Sequence, residues 1–110
     1  MALPVFDDGL DDAEMDEMME NARNATNFLK ALSHEGRLMI LCHLGAGEKS
    51  VGELEALLNI RQAAVSQMLA RLRDEQLVKT RRDGKTIYYS LNDDSTAQLI
   101  GHLHGMFCKT

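Results

Sequence analysis

Two adjacent segments decide the fold: SVGELEALLNIRQAAVSQMLARLRDEQ at residues 50–76 and LVKTRRDGKTIYYSL at residues 77–91. In the first segment, apolar residues recur every three or four positions, which predicts two amphipathic helices. Ser50 is a suitable N-cap for the shorter helix, and Asn59 and Ile60 separate it from the longer one. Two short helices joined by a tight turn indicate a helix-turn-helix.

The second segment changes from a helical to an extended pattern. Asp83-Gly84 is a strong signal for a two-residue hairpin, and Thr86 to Tyr89 are good strand formers on its far side. We therefore expect a β-hairpin, running from Leu77 to Leu91, directly after the helix-turn-helix. A hairpin in this position is a wing.

The remaining sequence predicts three more helices. Apolar residues from about Asp12 to Leu32 form a methionine-rich stripe on a long first helix, and we expect this stripe to contact a second copy of the chain. Ser33 is expected to cap the second helix, and Asn92 or Asp93 the last one. The predicted fold is mainly α with a β-hairpin wing: a homodimeric winged helix-turn-helix of four helices, two strands and a final helix.

Length and charge set the domain organisation. The 110 residues are enough for one domain, which we place at residues 12–110 for DNA binding and dimerisation, after a flexible acidic arm at residues 1–11. The longest apolar run is Leu38–Cys42, too short to span a membrane, and the start does not resemble a secretion signal. We expect a cytoplasmic protein with no membrane partner.

The charge is unevenly distributed along the chain. The net charge is −5, but residues 1–20 hold eight acidic residues and no Lys or Arg. Residues 61–85, in contrast, carry a net charge of +4. A basic stripe on an acidic protein is the electrostatic signature of a nucleic-acid contact, so we expect duplex operator DNA as a partner.

The second helix of the helix-turn-helix has side chains suited to reading base edges. Gln62 and Gln67 carry amides that match adenine, Ala63 is small enough to touch a thymine methyl group, and Ser66 can bond a base or a phosphate. The arginines beside them are expected to hold phosphates, and the cations of the wing to meet the neighbouring backbone or minor groove. The residues expected to bind DNA are Arg61, Gln62, Ala63, Ser66, Gln67, Arg71, Arg81, Arg82 and Lys85.

At this point the sequence resembles the ArsR family of winged-helix repressors, from about Asp16 to Cys108. Residues 62–69 resemble the family's recognition helix, and residues 81–85, followed by Tyr88-Tyr89, resemble its wing. The resemblance implies that the first and last helices build the dimer interface. It also implies that effectors acting near these helices lower the affinity for DNA.

The chain departs from the metal-sensing members of that family. Ser50-Val51-Gly52 stands where a cysteine pair would begin the third helix. The family's other metal site uses carboxylates and histidines along the last helix that converge on one ion. Asp93, Asp94, His102 and His104 match this site poorly, because His102 and His104 are about 200° apart around a helix and cannot both face one metal. We therefore expect no metal site and no cofactor.

Cys42 and Cys108, the two cysteines, are expected to be reduced in a cytosol. Their positions resemble those in the persulfide-sensing subgroup of the family, the relatives of the repressors SqrR and BigR. The resemblance implies a repressor that binds its operator as a reduced homodimer. Persulfides or polysulfides, as effectors, would link Cys42 to Cys108 by a bridge of two or more sulfurs and release the DNA.

Two alternatives remain open at this stage. The same thiols could respond to peroxide, by forming a simple disulfide, or to a metal ion. A chain of another class, a redox or interaction module without a DNA target, would also be consistent with two cysteines. An enzyme is not expected, because the sequence has no Cys-x-x-Cys, no phosphate-binding glycine loop and no evident acid–base pair.

Overall fold

The computed structural model describes residues 9–108. The described chain contains these elements in order: α1 (Asp12–Leu32), α2 (Glu35–Gly45), β1 (Lys49–Ser50), α3 (Val51–Leu58), α4 (Gln62–Asp74), β2 (Val78–Asp83), β3 (Thr86–Leu91) and α5 (Asp94–Phe107). Apart from β1, this is the order that the sequence predicts. The winged helix-turn-helix fold is confirmed.

The first helix begins where the sequence predicts. The carboxylate of Asp11 accepts a hydrogen bond from the N–H of Glu14 at 2.7 Å and thereby caps α1. Most of the predicted acidic arm, residues 1–8, lies outside the described residues, as do residues 109–110 of the predicted domain.

The helix-turn-helix is fixed at both ends of α3. Ser50 accepts a hydrogen bond from the N–H of Glu53 at 3.1 Å, and the Glu53 carboxylate accepts one from the N–H of Ser50 at 3.0 Å. This reciprocal capping box confirms Ser50 as the N-cap. Asn59 ends the helix with φ of 55°, a left-handed conformation that asparagine adopts more readily than most residues. The chain can therefore turn sharply into α4.

The start of α2 differs from the prediction by one residue. Ser33 still belongs to the end of α1, because its hydroxyl donates to the carbonyl oxygen of Leu29 at 3.0 Å. The N-cap is His34, whose Nδ1 accepts from the N–H groups of Gly36 at 3.1 Å and Arg37 at 3.4 Å. An imidazole nitrogen thus takes the role that the sequence predicts for the Ser33 hydroxyl.

The wing belongs to a three-stranded antiparallel sheet with the order β1-β3-β2. The unpredicted strand β1 has only two residues, too few for a periodic pattern. Asp83 pairs with Thr86, so the loop residues are Gly84 and Lys85, one position later than the Asp-Gly signal suggests. Gly84 has φ of 62°, which favours glycine and explains its place at the first loop position.

The core lies where α2, α3, α4 and the sheet meet. Its fully buried large side chains are Ile40, Leu41, Leu54, Val65, Leu69, Leu72 and Leu77. Helix α5, capped by the predicted Asp93, packs against α2 and contributes Ile100 to the core. No helix in residues 9–108 is both long and apolar enough to cross a membrane.

Helix α1 contributes to this core only through its C-terminal end. Ala31 and Leu32 are buried, whereas Met15, Met19 and Leu29 are 44%, 55% and 56% exposed. Most of the apolar stripe on α1 therefore has no partner within the described chain.

Candidate DNA-binding surface and thiol pair

Helix α4 presents its polar side to solvent. Val65, Leu69 and Leu72 are buried, and they anchor the helix on the core. The residues predicted to read DNA from its first two turns, Arg61, Gln62, Ala63, Ser66 and Gln67, are all exposed. No side chain caps the helix at Arg61, so a negatively charged group can approach its N-terminus. An exposed polar helix face is what reading base edges in a major groove requires.

The tip of the wing carries two exposed cations. Arg82 pairs with Ile87 across the hairpin, and Lys85 stands in its loop. Neither side chain makes an ion pair within residues 9–108. Both are therefore available to phosphate oxygens, in line with the role predicted for them.

The structure gives Arg81 and Arg71 partners that the sequence analysis does not anticipate. Arg81 lies below the tip, opposite Tyr88, and its guanidinium forms a two-point ion pair with Glu48. Arg71 forms an ion pair with Glu75, one turn later, at 3.2 Å. Both arginines are thus engaged with carboxylates of their own chain.

Sequence reasoning missed two residues next to this surface. Glu48 lies 33 positions before Arg81, and no local pattern links them. His34 borders an open groove shared with Ala64 and Gln67 of α4. The sequence pattern does not indicate it, because serine is the commoner N-cap.

The two cysteines are free and exposed, and they belong to the two helices that pack together. Cys42 lies on α2 and faces a groove of about 210 Å³ lined on the α5 side by Ala97, Ile100, Gly101 and His104. Cys108 is the C-cap of α5, and its N–H donates to the carbonyl oxygen of His104 at 2.8 Å. Cys42 thus faces α5, the helix that Cys108 ends.

Two effects raise the pKa of the Cys42 thiol: partial burial first, and then the negative charge of the Cys108 thiolate. A nearby negative charge disfavours ionisation of a second thiol and so raises its pKa. Both effects keep Cys42 protonated to a higher pH than an ordinary thiol. Ionisation of both cysteines at the same time is therefore unfavourable.

Within the described residues, no three His, Cys, Asp or Glu side chains come together as metal ligands. This holds for Asp93, Asp94, His102 and His104, the set that the sequence analysis considered on the last helix.

The geometry defines a class of protein. A helix-turn-helix with an exposed polar second helix, followed at once by a hairpin with a basic tip, is a winged helix-turn-helix DNA-binding protein.

Comparison with known proteins gives the family. A sequence model of the family described as bacterial regulatory proteins, arsR family, matches residues 34–80. A biofilm growth-associated repressor from Agrobacterium fabrum is 48% identical over 91 residues, which cover 83% of this chain and 78% of that protein. This chain belongs to the ArsR family of transcriptional regulators.

Two solved structures support the assignment. Reduced HlyU from Vibrio cholerae superposes with a TM-score of 0.79 at 43% identity, covering 84% of this chain and 98% of that one. The transcriptional repressor BigR from Xylella fastidiosa superposes with a TM-score of 0.75 at 44% identity, covering 87% of this chain and 98% of that one. HlyU from Vibrio cholerae is named a transcriptional activator and BigR a transcriptional repressor. The relatives are transcriptional regulators, so the expectation that the chain is not an enzyme is confirmed.

Proposed function

We propose that this protein is a cytoplasmic repressor that binds operator DNA as a reduced homodimer and is released when persulfides link Cys42 to Cys108. The observation that carries the proposal is that both cysteines are free and exposed, and that Cys42 on α2 faces α5, the helix that Cys108 ends. Relatives named as repressors support the direction of regulation. A relative solved in a form described as reduced supports a role for redox state.

The proposed reaction needs no oxidant other than the persulfide. One cysteine thiolate attacks the outer, sulfane sulfur of R–S–SH; the S–S bond breaks and R–SH leaves, giving Cys–S–SH. The thiolate of the second cysteine then attacks Sγ of the first and expels HS⁻, which closes a disulfide. If a second persulfide first extends Cys–S–SH to Cys–S–S–SH and releases another R–SH, attack on the middle sulfur expels HS⁻ and gives a trisulfide.

Exposed apolar side chains support the proposed dimer. Besides the methionines of α1, Met106 and Phe107 at the end of α5 are 53% and 77% exposed. Apolar surface on two helices that contact few other elements is the kind of surface that a second copy covers. A symmetric dimer would place two α4 helices for two half-sites about one turn of DNA apart.

A bridge could reach the DNA through the geometry of this dimer. Cys108 ends α5, whose exposed apolar side chains we expect to contact the second copy of the chain. Cys42 lies on α2, which packs against both α5 and α4. Drawing the two cysteines together shifts α5 relative to α2 and so changes the spacing of the two α4 helices. Allosteric couplings of about 1–3 kcal/mol, roughly 5- to 150-fold in affinity, are typical for such changes.

Single variants test the proposal. Cys42→Ser and Cys108→Ser should each bind operator DNA as the reduced wild type does, and neither should be released by a persulfide donor. Adding Ser95→Cys to Cys108→Ser restores two cysteines, one of them at an exposed position early in α5, and this control should remain unresponsive. Retained release in both serine variants would contradict the proposal.

A further inference from the structure

The ion pair between Glu48 and Arg81 joins the body of the protein to the wing. Glu48 lies in the connection between α2 and β1, and its carboxylate accepts from Nε of Arg81 at 3.1 Å and from Nη2. The guanidinium also lies 4.9 Å from the centroid of the Tyr88 ring. A two-point hydrogen bond and a ring contact together fix this side chain.

This arrangement changes the charge that the wing presents. A guanidinium paired with a carboxylate at two points has little net charge left for a phosphate, and two of its donors are already used. Asp83, 4.0 Å from Nη1 of Arg81, reduces the remaining charge further. Arg82 and Lys85 have no ion pair within residues 9–108, so they supply the positive charge of the wing.

Folding stability does not explain the pair. Both side chains are largely exposed, 54% for Arg81 and 41% for Glu48. Ion pairs between exposed side chains contribute little to stability. The sheet is already held by backbone pairing from Val78 to Asp83. A role in DNA binding is the better explanation, because the pair neutralises a cation on the element that approaches DNA.

We propose that Glu48 is a built-in competitor of the DNA backbone for Arg81. It keeps the guanidinium on the protein when DNA binds, so that the wing grips phosphates through Arg82 and Lys85 alone. Glu48 is a positioning residue that acts through Arg81. By removing one phosphate contact, it lowers the affinity for all DNA sequences equally and thus limits non-specific binding.

The salt dependence of DNA binding by the full chain tests the proposal. Each phosphate contact adds about 0.9 to the slope of log affinity against log salt. Glu48→Gln should therefore bind duplexes of any sequence more tightly, with a slope steeper by about 0.9. Over a fourfold reduction in salt, the variant should gain about 3.5-fold more affinity than the wild type does. Its thermal unfolding should be unchanged.

Two further variants separate this role from a general charge effect. Arg81→Gln in the Glu48→Gln background should restore the wild-type slope, because the gain depends on the freed arginine. Asp74→Asn removes the same charge from an exposed carboxylate that has no ion pair in the described chain, and should leave the slope unchanged. An unchanged slope in Glu48→Gln, or an equal gain when Arg81 is absent, would overturn the proposal.

Discussion

Cys108, at the end of α5, lies near enough to Cys42 on α2 for its negative charge to raise the pKa of the Cys42 thiol, in addition to the larger effect of partial burial. The structure thus brings together two thiols that are 66 positions apart in the chain. Their mutual repulsion as thiolates has a measurable consequence for reactivity.

The pH dependence of Cys42 alkylation should reveal this repulsion. The thiolate is the reactive form, so a raised pKa shifts the rise in reaction rate to higher pH. Cys108→Ser removes one of the two causes and should move the midpoint for Cys42 to lower pH, although burial still holds it above that of a free thiol. The rate at Cys42 is followed by peptide mass spectrometry. A midpoint that does not fall in the variant would mean that the thiols are not coupled.

Variants of α4 and of the wing should affect DNA binding in different ways. Gln67→Ala should cost about 1–3 kcal/mol on the operator and little on unrelated DNA, with an unchanged salt slope, because it removes a base contact. Arg82→Gln should weaken binding to every sequence and reduce the slope by about 1, because it removes a phosphate contact.

Arg73→Gln serves as the control for that comparison. Arg73 is an exposed cation in the last turn of α4, outside the set expected to contact DNA. Fluorescence anisotropy on operator and scrambled duplexes measures all three variants. Equal losses for Gln67→Ala on both duplexes would exclude a reading role for Gln67.

The two helix caps should contribute separately to stability. Ser50→Ala removes the capping box of α3, and His34→Ala removes the acceptor for two N–H groups of α2; each should lower the free energy of unfolding by about 1 kcal/mol. Urea unfolding of the reduced protein at a fixed concentration measures the effect. Ser95→Ala, at an exposed position inside α5, should change little. A loss for His34→Ala no larger than this control would show that His34 does not act as a cap.

The exposed stripe of α1 should be needed for dimerisation. Met19→Glu places a charge on a side chain that is 55% exposed in the single chain, so the monomer tolerates it while an apolar dimer interface does not. Sedimentation should show a shift toward monomer, with a loss of operator affinity. Asn21→Glu adds the same charge about 200° around the helix and should leave the dimer intact. Equal effects of the two variants would place the interface elsewhere.

Local patterns allowed most of the fold to be predicted. The spacing of Val65, Leu69 and Leu72 reflects one buried helix face, and Asp83-Gly84 marks the hairpin to within one residue. Such features depend on nearby residues alone. The exposure of the reading face of α4 follows from the same periodicity.

Tertiary contacts account for what the sequence could not predict. Glu48 and Arg81 meet only because β1 joins the sheet beside β3 and brings the α2–β1 connection to the wing. The cap at His34 depends on how far α1 continues, which its packing through Ala31 and Leu32 decides. The exposure of Cys42, between the buried Leu41 and the half-buried His43, likewise depends on how α5 packs.

The most direct test of the central claim is the intact mass of the reduced protein after treatment with a persulfide donor, combined with operator binding by the same sample. We expect the donor to consume both thiols in a bridge, with part of the product retaining added sulfur, and the affinity for the operator to fall by roughly 5- to 150-fold. Peroxide serves as the parallel treatment. An unchanged mass with the donor, or a plain disulfide under both treatments, would contradict a persulfide-specific switch and move the effector to peroxide or a metal ion.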